Sequence, residues 1–304
     1  MYLNVFVDNQ FYIFNYELGF MVFWYLLVII AFIGILFSTV VDIKKREVPN
    51  WVSYSLIGVG FGIRAIYSLI YEDFSFLLYG ALGFIIFFIF ANLMYYTKQW
   101  GGGDCKLLMG LGVLFGNYEP IFNTLHNLPF LGTLLLNIFV AGAFWGILFS
   151  TYLAIKNWNK FILEYRKQDF TIFKVSAAIV FLVLIITYFI LDRLFFKFAF
   201  IFLILLLFMV FLINFIRAVE NCCMYKLVNV DKLVEGDWIV NDVKKNKKII
   251  VKVRNIGLTL NDLNLLKKNN IKKVLVKEGV PFVPGFLIGF LVSVFLGDWF
   301  LIFI

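Results

Sequence analysis

Residues 18–41 of this chain run for 24 positions without one Asp, Glu, Lys or Arg. That stretch limits the fold more than any other feature. A hydrocarbon core is spanned by roughly 20 apolar residues in a helix. Comparable apolar runs recur at 51–71, 74–96, 130–155, 175–191, 194–216 and from 282 onward. They are continuous rather than alternating, which argues against a β-barrel. With 62% hydrophobic residues, 15% charged residues and a mean hydropathy of +0.92, the chain is not a soluble domain. The expected fold is a polytopic α-helical membrane protein with the bilayer as its solvent. About eight transmembrane helices are expected, one of them a short helix at 104–115.

The charged residues suggest how these helices are threaded. If the loop after the first helix is cytoplasmic, the cytoplasmic segments hold 24 of the 27 Lys and Arg residues. The remaining three are Arg64, Arg193 and Lys197. Such asymmetry is the positive-inside signature, and it accounts for the net charge of +8 without nucleic acid. Both termini are then expected outside, with the chain multi-pass in the cell membrane. No cleavable leader is expected, because residues 1–17 are not basic and contain Asp8 and Glu17. Three segments follow: a membrane core at 1–216, a cytoplasmic α+β module at 217–280, and a last transmembrane helix at 281–304. Within the module, 238–240, 249–253 and 271–277 read as strands and 260–268 as a helix capped by Thr259.

Against this apolar background stands Trp100-Gly101-Gly102-Gly103-Asp104-Cys105-Lys106-Leu107. Glycines let another chain lie close against the backbone. A carboxylate at the edge of an apolar span is costly unless it has a task. Asp42 closes the first helix on the same expected membrane side as Asp104. It is followed by Lys44-Lys45-Arg46-Glu47-Val48-Pro49-Asn50. Two carboxyls about 3 Å apart tend to share one proton, so one can activate water while the other polarises a carbonyl. That is the chemistry of an aspartyl protease, and it calls for no metal and no cofactor. The alternatives are poor: there is one histidine, His126, and neither an HExxH nor a GxSxG motif. Helix ends suggest Asp104, opening a helix, as the resting anion and Asp42, closing one, as the protonated partner.

These two motifs, Asp42 with the basic stretch and Val48-Pro49-Asn50, then Gly101-Gly102-Gly103-Asp104-Cys105-Lys106-Leu107, resemble the type IV prepilin peptidases. These are the GxGD aspartyl proteases that include the archaeal preflagellin peptidases. The resemblance covers roughly residues 20–155. It implies Asp42 and Asp104 as the catalytic pair, with Gly101, Gly102 and Gly103 shaping the approach to Asp104. Lys106, Pro49 and Asn50 occupy motif positions as supporting residues. It implies cleavage of a short basic leader from prepilin or preflagellin-like precursors at the cytoplasmic face. The cysteine-bearing insert of bacterial members is missing, so N-methylation of the product is not implied. A presenilin or signal-peptide-peptidase relative fits less well, because Val41 precedes Asp42 and no Pro-Ala-Leu follows. A transporter would hold its charges at a midplane site, whereas both aspartates map to one membrane edge.

Other residues carry plainer expectations. Gly58/Gly62, Gly142/Gly146 and Gly285/Gly289 are spaced for helix packing. Arg64 is expected to snorkel outward from the second helix. Trp51, Trp100, Trp158 and Trp299 fit interfacial belts.

Overall fold

The computed structural model describes residues 2–97, 99–119, 128–245, 248–254 and 257–299, with side chains from Gly19 onward apart from Phe20 and Lys248. His126 lies outside them. The chain is predominantly helical and divides into two compact units. Unit 1 holds 1–147, 254–259 and 279–304, and unit 2 holds 148–253 and 260–278. The division therefore falls inside the segment expected to form one membrane core. Among the described residues, six helices are long and apolar enough to cross a membrane. The chain is a polytopic helical membrane protein.

Unit 1 is built from α1 (Tyr2–Lys45), α2 (Asn50–Ile70), α3 (Ser75–Tyr96), α4 (Gly102–Phe115), the first two thirds of α5 (Phe130–Lys156), and a last helix. The last helix spans Val283–Phe295 and is numbered α10 in chain order. α1 ends where Arg46 adopts φ 61°, a left-handed residue that stops the helix. Pro49 then sits before α2 with φ −62° and ψ 124°, extended as a helix entry requires. Between α2 and α3 the Asp73 carboxylate accepts Ser75 N–H at 2.8 Å and Ser75 Oγ–H at 2.7 Å, closing the acidic turn.

α4 is the centre of this unit. It has 14 residues, about 20 Å of helix. It is apolar all round, and Leu107, Leu108, Leu111, Val113, Leu114 and Phe115 are fully buried. α1, α2 and α3 surround it. The approach to α3 is close enough that a Cβ on Gly83 would strike the Gly112 carbonyl, and one on Gly112 the Gly83 carbonyl. α10, with 13 residues, packs on α1. A Cβ on Gly285 would come within 2.6 Å of Gly142 Cα, and one on Gly289 within 2.6 Å of Ile138 Cα. The expected glycine contacts therefore hold for Gly142, Gly285 and Gly289. Gly58, Gly62 and Gly146 face open space, and Gly80, Gly83, Gly112 and Gly116 take the role instead.

Two further expectations are corrected here. Arg64 does not snorkel: it is fully buried, and its guanidinium donates to Val113 O and Phe76 O at 2.6 Å, Leu114 O at 2.9 Å and Asn117 Oδ1 at 3.0 Å. The last carbonyls of α4 lack helical partners, and a cation there also meets the negative end of the helix dipole. Trp100 is no belt residue, since it is buried among Phe90, Phe139, Phe282 and Phe286. Trp51 and Trp158 are exposed.

Unit 2 begins with the end of α5. Between the apolar runs at 130–155 and 175–191 lies a short amphipathic helix, α6 (Trp158–Arg166), which buries Phe161. α7 (Thr171–Ile190) and α8 (Arg193–Val219) form a hairpin whose most hydrophobic windows are only 6% buried, as expected of surfaces facing lipid. A π-helical turn, Glu220–Met224, leads into the module. Its strands are β1 (Tyr225–Asn229), β2 (Trp238–Ile239), β3 (Val243–Lys245), β4 (Lys248–Val251) and β5 (Lys273–Lys277), with α9 (Leu260–Lys268) before β5. β5 is the centre of an antiparallel sheet ordered β1-β5-β2, and β3 pairs with β4. Sequence reading missed β1 and β3. Both carry exposed lysines on short strands and lack a long alternating pattern.

Candidate active site

Asp42 lies in the last turn of α1, one turn beyond Ser38 and Thr39 on the buried face. Its residue is 5% exposed. Its backbone carbonyl accepts Arg46 N–H at 2.8 Å, and its Oδ2 accepts Val283 N–H at 3.0 Å. The positive charge of Arg46 reaches the same carboxylate.

Asp104 lies in the first turn of α4, three residues after Gly101 at the N-cap. Its Oδ2 accepts Gly101 N–H at 3.1 Å, the reach-back half of a capping box. That bond occupies one oxygen of a half-buried carboxylate. Among the described residues the carboxylate accepts no other hydrogen bond. The two aspartates interact electrostatically although 61 residues separate them in sequence.

The remaining motif residues join the two segments. A Cβ on Gly103 would fall 2.7 Å from Val48 Cβ, so only glycine leaves room for the loop after α1. Lys106 Nζ donates to Asn50 Oδ1 at 2.8 Å and lies 5.5 Å from the Tyr54 ring centroid. Pro49 orients the entry of Asn50 into α2. Gly102 packs near the Tyr95 ring, and Gly101 is exposed. All eight residues singled out in the sequence thus lie where the end of α1 and the start of α2 meet the start of α4.

Sequence reading placed a helix from 282 onward but missed that its start meets Asp42. Val283 supplies the N–H that meets Asp42, so the carboxylate lies between the negative end of α1 and the positive end of α10. The dipole argument that made Asp42 the disfavoured anion considered α1 alone. The signal was present in Gly279-Val280-Pro281-Phe282-Val283-Pro284-Gly285, where prolines bracket a helix start. Among the described residues no three His, Cys, Asp or Glu side chains group as metal ligands.

Residues 27–147 match the type IV leader peptidase family, a span that takes in both aspartates and both motifs. The similarity to that family is confined to this segment. Preflagellin peptidases are among its relatives. One from Methanococcus maripaludis is 32% identical over 135 residues, 42% of this chain and 57% of the relative. One from Methanococcus voltae is 27% identical over 154 residues, 49% of this chain and 66% of the relative. One from Methanocaldococcus jannaschii is 33% identical over 96 residues, 32% of this chain and 41% of the relative. The chain thus spans between about two fifths and two thirds of the length of these curated relatives. Unit 2 and α10 lie outside the family match.

Proposed function

We propose that this protein is a membrane-embedded aspartyl endopeptidase. It removes short basic leaders from prepilin or preflagellin-like precursors. Asp42 and Asp104 activate water between them. The observation that carries this reading is the meeting of the two motifs: Lys106 bonded to Asn50, Gly103 seated against Val48, and two carboxylates near enough for their charges to interact. The names of the relatives support the substrate class.

In the proposed reaction the ionised carboxyl of the pair takes a proton from water as the oxygen attacks the scissile carbonyl. The protonated carboxyl donates to the carbonyl oxygen. The tetrahedral intermediate then collapses, the peptide C–N bond breaks, and the leaving amine takes a proton from the pair. The pair shares its charge, so its two titrations belong to the dyad rather than to either residue. Gly101 and Gly102 leave open backbone beside Asp104 for an unwound substrate segment. The bilayer holds the apolar helix of the precursor while its leader stays at the cytoplasmic face. The excess of Lys and Arg on that side of the helices supports this orientation.

Membranes containing the protein are mixed with a tagged precursor bearing a basic leader, a small residue and an apolar helix. The expected result is a shorter product whose new N-terminus, read by mass spectrometry, lies just before the apolar helix. A series of such precursors left intact by folded protein overturns the proposal.

A further inference from the structure

The segment Gly279–Val283 is held at several points, by residues around the candidate site and by one on α5. Arg46 Nη1 donates to Gly279 O at 3.3 Å. Trp145 Nε1 donates to Pro281 O at 2.8 Å. Val283 N–H donates to Asp42 Oδ2 at 3.0 Å. The rings of Phe282 and Phe286 lie 5.4 and 5.3 Å from Trp100, the residue directly before the glycines that lead to Asp104. One short strap thus touches the residues around both aspartates, and it lies more than 130 residues beyond the end of the family match at 147.

We infer that this strap is the third element of the active site: Val283 is a positioning residue that fixes Asp42 through its backbone N–H, and the Phe282 and Phe286 rings set Asp104 relative to it through Trp100. The physical case is geometric. Asp42 lies in the last turn of α1, and among the described residues its carboxylate accepts its hydrogen bonds from the start of α10, not from α1. Fixed backbone donors at the start of α10, Val283 N–H with Phe282 N–H beside it, select one rotamer, and burial of the residue keeps water from substituting for them. Pro281 and Pro284 stiffen the backbone on either side of the donor, so its position is set before substrate arrives. Trp145 anchors the strap from α5. Chemistry that needs two carboxyls at a fixed separation is sensitive to errors of about 1 Å.

This inference rests on the peptidase reading, and the test separates the two. Purified full-length protein is assayed with the tagged precursor for kcat and KM as wild type, Val283→Ala, Val283→Pro and Trp145→Phe. Proline fits the first position of a helix and is close to valine in volume, but it carries no N–H. Phe282, at φ −99° and ψ −22°, is less comfortable before a proline, so thermal unfolding is measured alongside. A lost hydrogen bond to a charged group corresponds to a fall of about 10- to 100-fold. That fall is expected in kcat for Val283→Pro beyond whatever Val283→Ala loses, with KM unmoved. If Val283→Pro does not fold, Trp145→Phe decides, with a loss of about threefold or more in kcat at unchanged KM expected. Equal kcat in Val283→Pro and Val283→Ala, or full kcat in Trp145→Phe where it decides, overturns the inference. Hydrogen exchange over 279–286 supplies a readout independent of activity. Exchange is expected to rise in Asp42→Ala and to stay low in Asp42→Asn, which keeps an acceptor oxygen. Inactive wild type with that exchange pattern sinks the peptidase reading and leaves the strap standing. Active wild type with exchange unmoved in Asp42→Ala sinks the strap alone.

Discussion

Replacing Arg64 with Met removes a clamp at the end of α4 opposite Asp104. The guanidinium is fully buried and donates four hydrogen bonds of 2.6–3.0 Å, three of them to backbone carbonyls. Its charge also lies 5.6 and 5.7 Å from the Phe23 and Trp24 ring centroids. Methionine fills much of the space but donates nothing. Two C-terminal carbonyls of α4 then lose their donor, each at a cost of about 1–3 kcal/mol, while the Phe76 carbonyl, in the first turn of α3, keeps its helical partner and loses only a second donor. Against this stands the desolvation of a buried cation, which the variant no longer bears. The net loss expected is about 3–5 kcal/mol, the scale on which buried charge networks fail when one partner is removed. At roughly 2–4 °C per kcal/mol this lowers the melting temperature by on the order of 10 °C. The assay is thermal unfolding of purified protein in detergent, with Arg64→Lys alongside. One ammonium cannot reach all four acceptors, so lysine falls between wild type and methionine. Melting of Arg64→Met within about 1 °C of wild type refutes the clamp and returns Arg64 to a peripheral role.

Three further predictions follow from particular contacts. Gly83→Ala and Gly112→Ala each force a methyl into the facing backbone and are expected to cost about 1–3 kcal/mol in unfolding measurements, whereas Gly58→Ala and Gly62→Ala, with open space around them, are neutral or slightly stabilising. Asn50→Ala and Lys106→Ala each lower kcat/KM, and because they break the same bond the double variant is no worse than the poorer single one; full additivity in that cycle contradicts a link between the motifs. In the module, burial is the main cause that pushes the Asp237 carboxyl above its ordinary range, with Glu278 adding to it and Val234 N–H opposing it. The protonated form is therefore the one favoured on folding, its contribution is present at acid pH and is lost as pH rises through the folded value, and Asp237→Asn, which keeps an acceptor for Val234 N–H, gains in melting temperature over wild type at pH 8 more than at pH 5.

The apolar runs and the two aspartate motifs were legible because each is a local pattern. Hydrocarbon length demands unbroken apolar stretches. Gly101, Gly103 and Asp104 are wrong for such a stretch unless something uses them. Contacts between distant segments were not legible. Nothing local in Arg64 says that its four acceptors come from α3, α4 and the loop beyond α4. The same holds for Val283, whose donor to Asp42 is a backbone N–H and leaves no trace in residue type. Trp100 was misplaced because a tryptophan beside an interface reads as a belt residue until its ring partners are known. α6 was lost among its charges, since one buried ring, Phe161, is its only fully buried side chain.

The central claim is that Asp42 and Asp104 act as one catalytic unit. Its most direct test is precursor cleavage by Asp42→Asn, Asp104→Asn and the double variant, each shown to melt near wild type. The account predicts that each single change removes cleavage by about a thousandfold or more and that the double variant is no lower, as for groups that act together. Turnover by either folded single variant within about a hundredfold of wild type contradicts the account.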